Sequence, residues 1–178
     1  MATHSKPTVT KVYDVADIVR QGVVDPRRTF PAIMRLASSA DWKEREVAAT
    51  ILVEVGKKQP DQIIEEMILW ADHADPNIRR AASEGLRGVA RKEPEKVLPV
   101  LERLKADASI YVKKSVANVL RNAGNYHPEF TLNVCGAWAS VKNPHTDWII
   151  KDALRKLKAT YPERVDDIVS ALSPRTAK

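Results

Sequence analysis

The amino-acid sequence predicts an all-α fold, a right-handed α-α superhelix built as a solenoid of about five helical pairs, and three observations carry that prediction. Pro26, Pro60, Pro94, Pro128 and Pro162 follow one another at one constant interval, so most of the chain is a single unit repeated. Large apolar residues keep the same beat: Ile18, Leu52, Leu86, Leu120 and Leu154 lie eight positions before each proline, and Leu36, Trp70, Leu104, Trp138 and Leu172 lie ten after it. The composition is 44% hydrophobic and 29% charged, ordinary for a globular chain, while only 6 Gly and 6% aromatic residues argue against an all-β design. Two further columns follow, Ile33, Met67, Leu101, Cys135 and Val169 after the prolines, and Val55, Val89, Ala123 and Leu157 before them. No unit can bury its own apolar face, so neighbours must stack.

Each element follows from this register. Residues 1–12 read as a disordered tail, 13–172 as the solenoid, and 173–178 as a frayed basic tail. In the third unit, Asp75-Pro76-Asn77 is a turn and helix start, after which Ile78, Ala82, Leu86 and Val89 share one face of an inner helix. That helix ends near Lys92-Glu93, because the residue before Pro94 is pushed out of the α region. Pro94 opens the next helix at no cost in hydrogen bonds, and Val97, Leu98, Leu101 and Leu104 form its apolar stripe, with Pro99 expected to distort it locally. Asp107-Ala108-Ser109 then turns the chain into the following unit.

Several function classes are disfavoured. No apolar run approaches the roughly 18 to 20 residues of a membrane span, and Met1 to Thr10 lacks a basic start followed by a hydrophobic stretch, so a cytoplasmic monomer with no membrane partner is expected. Cys135 stands in a core column, which favours burial over reactivity. His4, His73, His127 and His145 are scattered, with no cluster at metal-ligand spacing and no glycine-rich phosphate loop, so no metal or nucleotide cofactor is expected.

The period is one that tetratricopeptide repeats share, but their signature residues are missing. What recurs is a polar turn, a branched apolar residue and a basic pair, as in Asp75 to Ile78-Arg79-Arg80 and Ser109 to Val112-Lys113-Lys114. That pattern resembles HEAT repeats.

Function is read from the inner-helix face opposite the core columns. Positions 14, 10, 7 and 3 before each proline lie there by helical spacing. They are Glu46, Thr50, Val53 and Lys57; Arg80, Glu84, Arg87 and Arg91; Lys114, Asn118, Arg121 and Asn125; and Trp148, Asp152, Arg155 and Ala159. Arg87, Arg121 and Arg155 form a column of like charge, which calls for an anionic partner or interleaved acids. One reading is a solvated helix face offset by Glu84, Asp152 and nearby acids, in a chain whose net charge is only +6. The other is a groove tracking the phosphate backbone of duplex DNA with Arg80, Arg87, Lys114, Asn118, Arg121 and Arg155, and with Arg45, Arg79 and Lys113 at its edge. A non-enzymatic scaffold for an acidic protein partner is the alternative use of the same charge. Glu84 and Asp152 lie among the guanidiniums, and Trp148 stands one turn before Asp152. A carboxylate near a sugar stabilises an oxocarbenium-like transition state, and an indole face holds a cation. The other reading of these groups is acids paired with arginines and a tryptophan capping the array. Trp42, Trp70 and Trp138 are read as packing residues.

At these positions the chain resembles the HEAT-like DNA alkylation repair family. The residues that carry the resemblance are Ser83-Glu84-Gly85-Leu86-Arg87, Leu101 to Asp107, Tyr111 to Asn118 and His127-Pro128, with Arg45 to Ala49 as a weaker preceding block. The resemblance implies a basic concave surface that grips duplex DNA and an alkylpurine DNA glycosylase activity. Such an enzyme excises cationic N3- or N7-alkylated purines without flipping them, in base excision repair near the nucleoid. It implies Glu84 as a carboxylate of the site and Glu46 as the acid one repeat earlier. The chain departs from the family pattern twice: Gly88 to Lys92 lacks the family's aromatic, and Arg121-Asn122 stands where the family has an aspartate. Trp148 and Asp152, from the next repeat, are candidates by helical spacing to supply both.

Overall fold

The computed structural model describes residues 14–173. The tail expected at 1–12 lies outside the described residues, as does all but Ser173 of the tail expected at 173–178. The chain runs α1 (Val15–Val24), α2 (Pro26–Ala37), α3 (Trp42–Gly56), α4 (Pro60–Ala71), α5 (Pro76–Glu84), α6 (Arg87–Ala90), α7 (Pro94–Leu104), α8 (Ile110–Gly124), α9 (Pro128–Ala139), α10 (Pro144–Leu154), a short 3-10 turn (Leu157–Ala159) and α11 (Pro162–Ser170). No strand is present among the described residues, and no helix there is long and apolar enough to cross a membrane.

The spaced prolines begin α2, α4, α7, α9 and α11, which form one layer; α1, α3, α5 with α6, α8 and α10 form the inner one, α8 packing between α5 and α10. The residue before each proline, Asp25, Gln59, Glu93, His127 or Tyr161, has φ between −145° and −127°, as a pre-proline residue must when the helix starts on the ring itself. Inner helices start on a second series at the same interval. Asp41 accepts the Lys43 N–H at 2.9 Å, Asp75 that of Asn77 at 2.8 Å, and Asn143 that of His145 at 2.8 Å, each cap satisfying a donor the helix cannot. Pro99 lies inside α7, which continues past it to Leu104.

The core is the stack of predicted columns. Leu52, Leu86, Leu120 and Leu154 are buried, as are Leu36, Trp70, Leu104, Trp138 and Leu172. Ile18 and Val169, in the end units, are only partly covered because they have a neighbour on one side alone. Both buried indoles are satisfied, Trp70 donating to Glu66 at 2.7 Å and Trp138 to Glu102 at 2.6 Å. Cys135 is fully buried and its thiol is pushed up to about 12 by burial, so it packs as a small apolar group.

One inner helix departs from the expected continuous form. The helix expected to run from Ile78 to about Lys92 kinks at Gly85-Leu86, where Leu86 N–H reaches back to Ser83 rather than one residue further. The cause is close packing. Ser83 is buried and donates to Ser115 on α8 at 2.6 Å, while a Cβ on Gly85 would stand 2.8 Å from Cβ of Leu52 on α3. Ser83 and Gly85 therefore register α5 against both neighbours, and Glu84 between them is turned to the opposite face.

Loops between layers are held by an arginine in the first turn of α5 and by its repeat mate in α3. Arg79 donates to the carbonyls of His73 at 2.9 Å and Ala74 at 2.8 Å, and its Nε and Nη2 clasp Asp107 at 2.6 and 3.3 Å. Arg45, one repeat earlier, donates to the carbonyls of Ser39 at 2.7 Å and Ala40 at 2.9 Å. Both side chains satisfy loop carbonyls that no helix ladder reaches.

Three stability changes follow. Gly85→Ala should lower stability by about 1–3 kcal/mol through overpacking on Leu52. Gly88→Ala, whose Cβ would make ordinary contacts of 3.5 Å or more, should raise it by about 0.5–1 kcal/mol through helix propensity. Arg79→Ala should cost about 3 kcal/mol, because it leaves the buried Asp107 side chain with only the Ser109 N–H as partner and frees two loop carbonyls. Urea unfolding monitored by circular dichroism measures all three, and equal effects of the two glycine changes would contradict the packing assigned here.

Candidate nucleic-acid interface

The polar rows of α3, α5, α6, α8 and α10 all fall on one side of the inner layer, and all but Thr50 and Ala159 line one of two grooves there. The first has a volume of about 600 Å³ and is walled by Arg45, Glu46, Arg80, Glu84, Lys114, Asn118, Arg121, Asp152 and Arg155. Three aromatic residues complete it: Trp42, Tyr111 and Trp148. The second, about 530 Å³, holds Lys57, Arg87, Arg91, Lys92, Asn122, Asn125 and Tyr126.

Inside the first groove, charges pair across repeats. Arg80 donates to Glu46 on the preceding inner helix at 2.6 Å and to both oxygens of Glu84, one turn along its own helix, at 3.1 and 3.2 Å. Burial works against the Arg80 charge, but Glu84 and Glu46 outweigh it and hold its pKa above the ordinary value. For Glu84 the balance is reversed. Burial, with the nearby Glu46 carboxylate adding to it, raises the Glu84 carboxyl above the usual range despite the opposing pull of Arg80 and Arg87. On the other wall, Arg121 donates to the Asp152 carboxylate, to its backbone carbonyl at 3.2 Å, and to Asn118 at 3.2 Å. Arg155 approaches the second Asp152 oxygen at 3.6 Å and is mostly exposed. Lys114 is exposed and has no carboxylate within 4 Å among the described residues.

The structure thus brings together Glu46, Glu84, Trp148 and Asp152 with Arg80, Lys114, Asn118, Arg121 and Arg155. Three residues expected at the edge are placed otherwise. Arg79 is committed to Asp107 and loop carbonyls behind the groove, and Arg45 reaches the groove wall while its Nη1 is spent on the loop. Lys113 lies with its Nζ 5.7 Å from the Trp148 ring and 3.3 Å from His145, away from both grooves. In each basic pair only the second residue, Arg80 or Lys114, faces the groove; the first turns aside, Arg79 to its own loop and Lys113 to His145 and Trp148 on α10. The expected single column of Arg87, Arg121 and Arg155 is also divided, since Arg87 opens on the second groove with its Nε on the Glu84 carbonyl at 3.3 Å.

Two aromatic residues escaped the sequence reading. Trp42, read as a packing residue, is 61% exposed in the first turn of α3, and Tyr111 is 64% exposed in the first turn of α8. The available signal was that neither position falls on a core column. No group of three or more His, Cys, Asp or Glu side chains among the described residues is arranged to hold a metal ion.

The Glu84 environment has a pH consequence. A carboxyl whose folded pKa is raised holds its proton more tightly than the unfolded chain does, so its contribution is greatest below the ordinary range and is lost as pH rises from about 4.5 through the folded value. The stability of the protein relative to its Glu84→Gln variant should therefore fall with rising pH in that window. Urea unfolding of both from pH 4 to 7 measures it, and a relative stability that rises with pH would mean that Arg80 outweighs burial.

The geometry can be set beside known proteins. A family model described as HEAT repeats matches residues 30–121, just over half of the chain. No curated protein matches it in sequence. Among solved structures, it is similar to the Pseudomonas fluorescens alkylpurine DNA glycosylase AlkC bound to DNA containing an abasic site analog, with 28% identity and a TM-score of 0.71 over 86% of this chain. The chain spans only 44% of AlkC, less than half of that enzyme's length. It shares its fold with AlkD2 from Streptococcus mutans, at 24% identity and TM-score 0.67 over 79% of this chain and 70% of that one. The same holds for smu.31 from Streptococcus mutans UA159, at 24% identity and TM-score 0.65 over 78% and 71%. Periodicity, the stacked core and the family match agree: the chain belongs to the HEAT-repeat family.

Proposed function

We propose that the grooved inner face binds duplex DNA through its phosphate backbone, and that the first groove excises a cationic, alkylated purine. The observation that carries this reading is the alternation within one groove of guanidiniums and carboxylates, Arg80 with Glu46 and Glu84, Arg121 and Arg155 with Asp152, under a rim of Trp42, Tyr111 and Trp148.

Each component has a distinct task. Lys114 and Arg155 are the cations best exposed to neutralise phosphates, and their binding follows charge and duplex shape rather than base edges. An N-alkylated purine is already positively charged, so the C1′–N bond breaks with its electron pair leaving on the base, which becomes neutral. The sugar then carries the oxocarbenium charge until water adds at C1′ and releases a proton. Carboxylates beside C1′ stabilise that charge, and Glu84 and Asp152 are the acids set deepest among the cations. An exposed indole or phenol face lies against a cationic base at little desolvation cost. The similar AlkC structure holds DNA with an abasic-site analog, the kind of product such a reaction leaves, which supports the reading.

The pairing of acids with arginines separates binding from chemistry. Asp152→Asn removes a negative charge from the groove, so duplex affinity should hold or rise while release of 3-methyladenine or 7-methylguanine from methylated DNA falls about a hundredfold. Glu84→Gln should behave alike. Duplex titrations by fluorescence anisotropy and chromatographic detection of freed base in single turnover measure both. Wild-type protein that frees no base at saturating enzyme overturns the excision reading, and a preference for an acidic peptide over mixed-sequence duplex overturns the DNA reading in favour of an acidic protein partner.

A further inference from the structure

Arg45, Arg79 and Lys113 hold the same position in three successive inner helices, yet the third behaves unlike the others. Arg45 and Arg79 each turn Nη1 onto two carbonyls of the preceding loop, and Arg79 also reaches forward to the Asp107 carboxylate. One repeat beyond Asp107 the chain has Val141, so Lys113 finds no carboxylate at that place. Its Nζ crosses instead to α10, 3.3 Å from His145 Nδ1 and 5.7 Å from the centre of the Trp148 ring. An ammonium only donates, so the imidazole accepts on Nδ1 and carries its hydrogen on Nε2. The acid beside Trp148 is engaged elsewhere: Asp147 is buried and takes the Ser173 N–H at 3.1 Å. The first turn of α10 is itself fixed, with His145 N–H on Asn143 Oδ1 at 2.8 Å and Thr146 Oγ1 donating to the Lys105 carbonyl at 2.8 Å. Trp148 lines the first groove and Lys113 does not, so the ammonium backs the indole from outside the groove.

We propose that Lys113, seated on His145, is a positioning residue that fixes the ring plane of Trp148 at the groove wall and acts on the ligand only through that ring. The inference rests on the excision reading of the first groove and adds to it a residue that touches neither strand nor base. Lys113, His145 and Trp148 are all half-buried, where a cation against an indole face is worth more than in open water. A half-buried indole has a broad second torsion, and the ammonium behind it removes that freedom. Trp148 stands one helical turn before Asp152, so the direction its ring faces decides how a sugar or cationic base meets that acid.

The test is a double-mutant cycle with a spectroscopic readout. In single turnover on methylated duplex, Lys113→Met should slow base release about tenfold while duplex affinity and its salt dependence stay at wild-type values. Lys113→Arg should restore most of the rate, because a guanidinium also donates to Nδ1 and covers an indole face. In a Trp148→Leu background Lys113→Met should have little further effect, since the ring it holds is gone. The Trp148 indole N–H signal of 15N-labelled protein without DNA, identified by its loss in Trp148→Leu, should shift in Lys113→Met and return in Lys113→Arg. If Lys113→Met folds poorly, His145→Leu removes the acceptor and should give the same slower release and the same indole shift. An unmoved indole signal, additive effects in the cycle, or a salt slope shallower by about 0.9 in Lys113→Met, as a phosphate contact would give, overturns the proposal. Wild-type protein that frees no base overturns the excision reading, and the indole signal then still decides whether Lys113 holds the ring.

Discussion

The stacking of each apolar column on its counterpart one repeat further along constrains everything else in the molecule. Because Leu52, Leu86, Leu120 and Leu154 must meet in one continuous core, each inner helix is fixed in rotation as well as in height. Polar residues at equivalent offsets have no freedom to scatter. They line up as rows across the opposite face, and side chains a full repeat apart in sequence become hydrogen-bonding neighbours, as Glu46 and Arg80 are. Ser83 against Ser115 and Gly85 against Leu52 tighten that register at the centre of the array.

This register gives the first groove its chemistry. Carboxylates and guanidiniums partly withdrawn from water cannot stand alone, since an unpaired buried charge costs several kcal/mol. Pairing across repeats meets that cost, yet leaves Glu84 and Asp152 pointing to a common space where a cation would compete with arginine for them. The second groove lacks such acids. Its unmet positive charge and the mixed charge of the first are two halves of one surface, divided at the Gly85-Leu86 kink, which falls between Glu84 and Arg87.

How much of this was legible in the sequence depends on which residues are asked about. Core columns were legible because a repeat prints the same side-chain class at the same offset several times, and the polar rows followed as their helical complement. The division of labour within Arg79-Arg80 was not, because adjacent helical residues point about 100° apart and only the loop's position decides which one meets carbonyls. Trp42 was misread as core because a tryptophan is usually buried, although its offset matches no column. The kink was hidden for a similar reason: a lone glycine in a helical pattern signals close packing only once its neighbour, Leu52, is known. Resemblance to the alkylation repair proteins pointed to Glu84, but not to the aromatic rim contributed by Trp42 and Tyr111.

The most direct measurement of the central claim is a titration of isotopically labelled protein with a mixed-sequence DNA duplex, followed by backbone amide chemical shifts. A ligand held on the inner layer should shift amides of α3, α5, α6, α8 and α10 around the two grooves and leave those of α4, α7 and α9 in place. Shifts concentrated on the proline-started helices, or none at low salt, would contradict it.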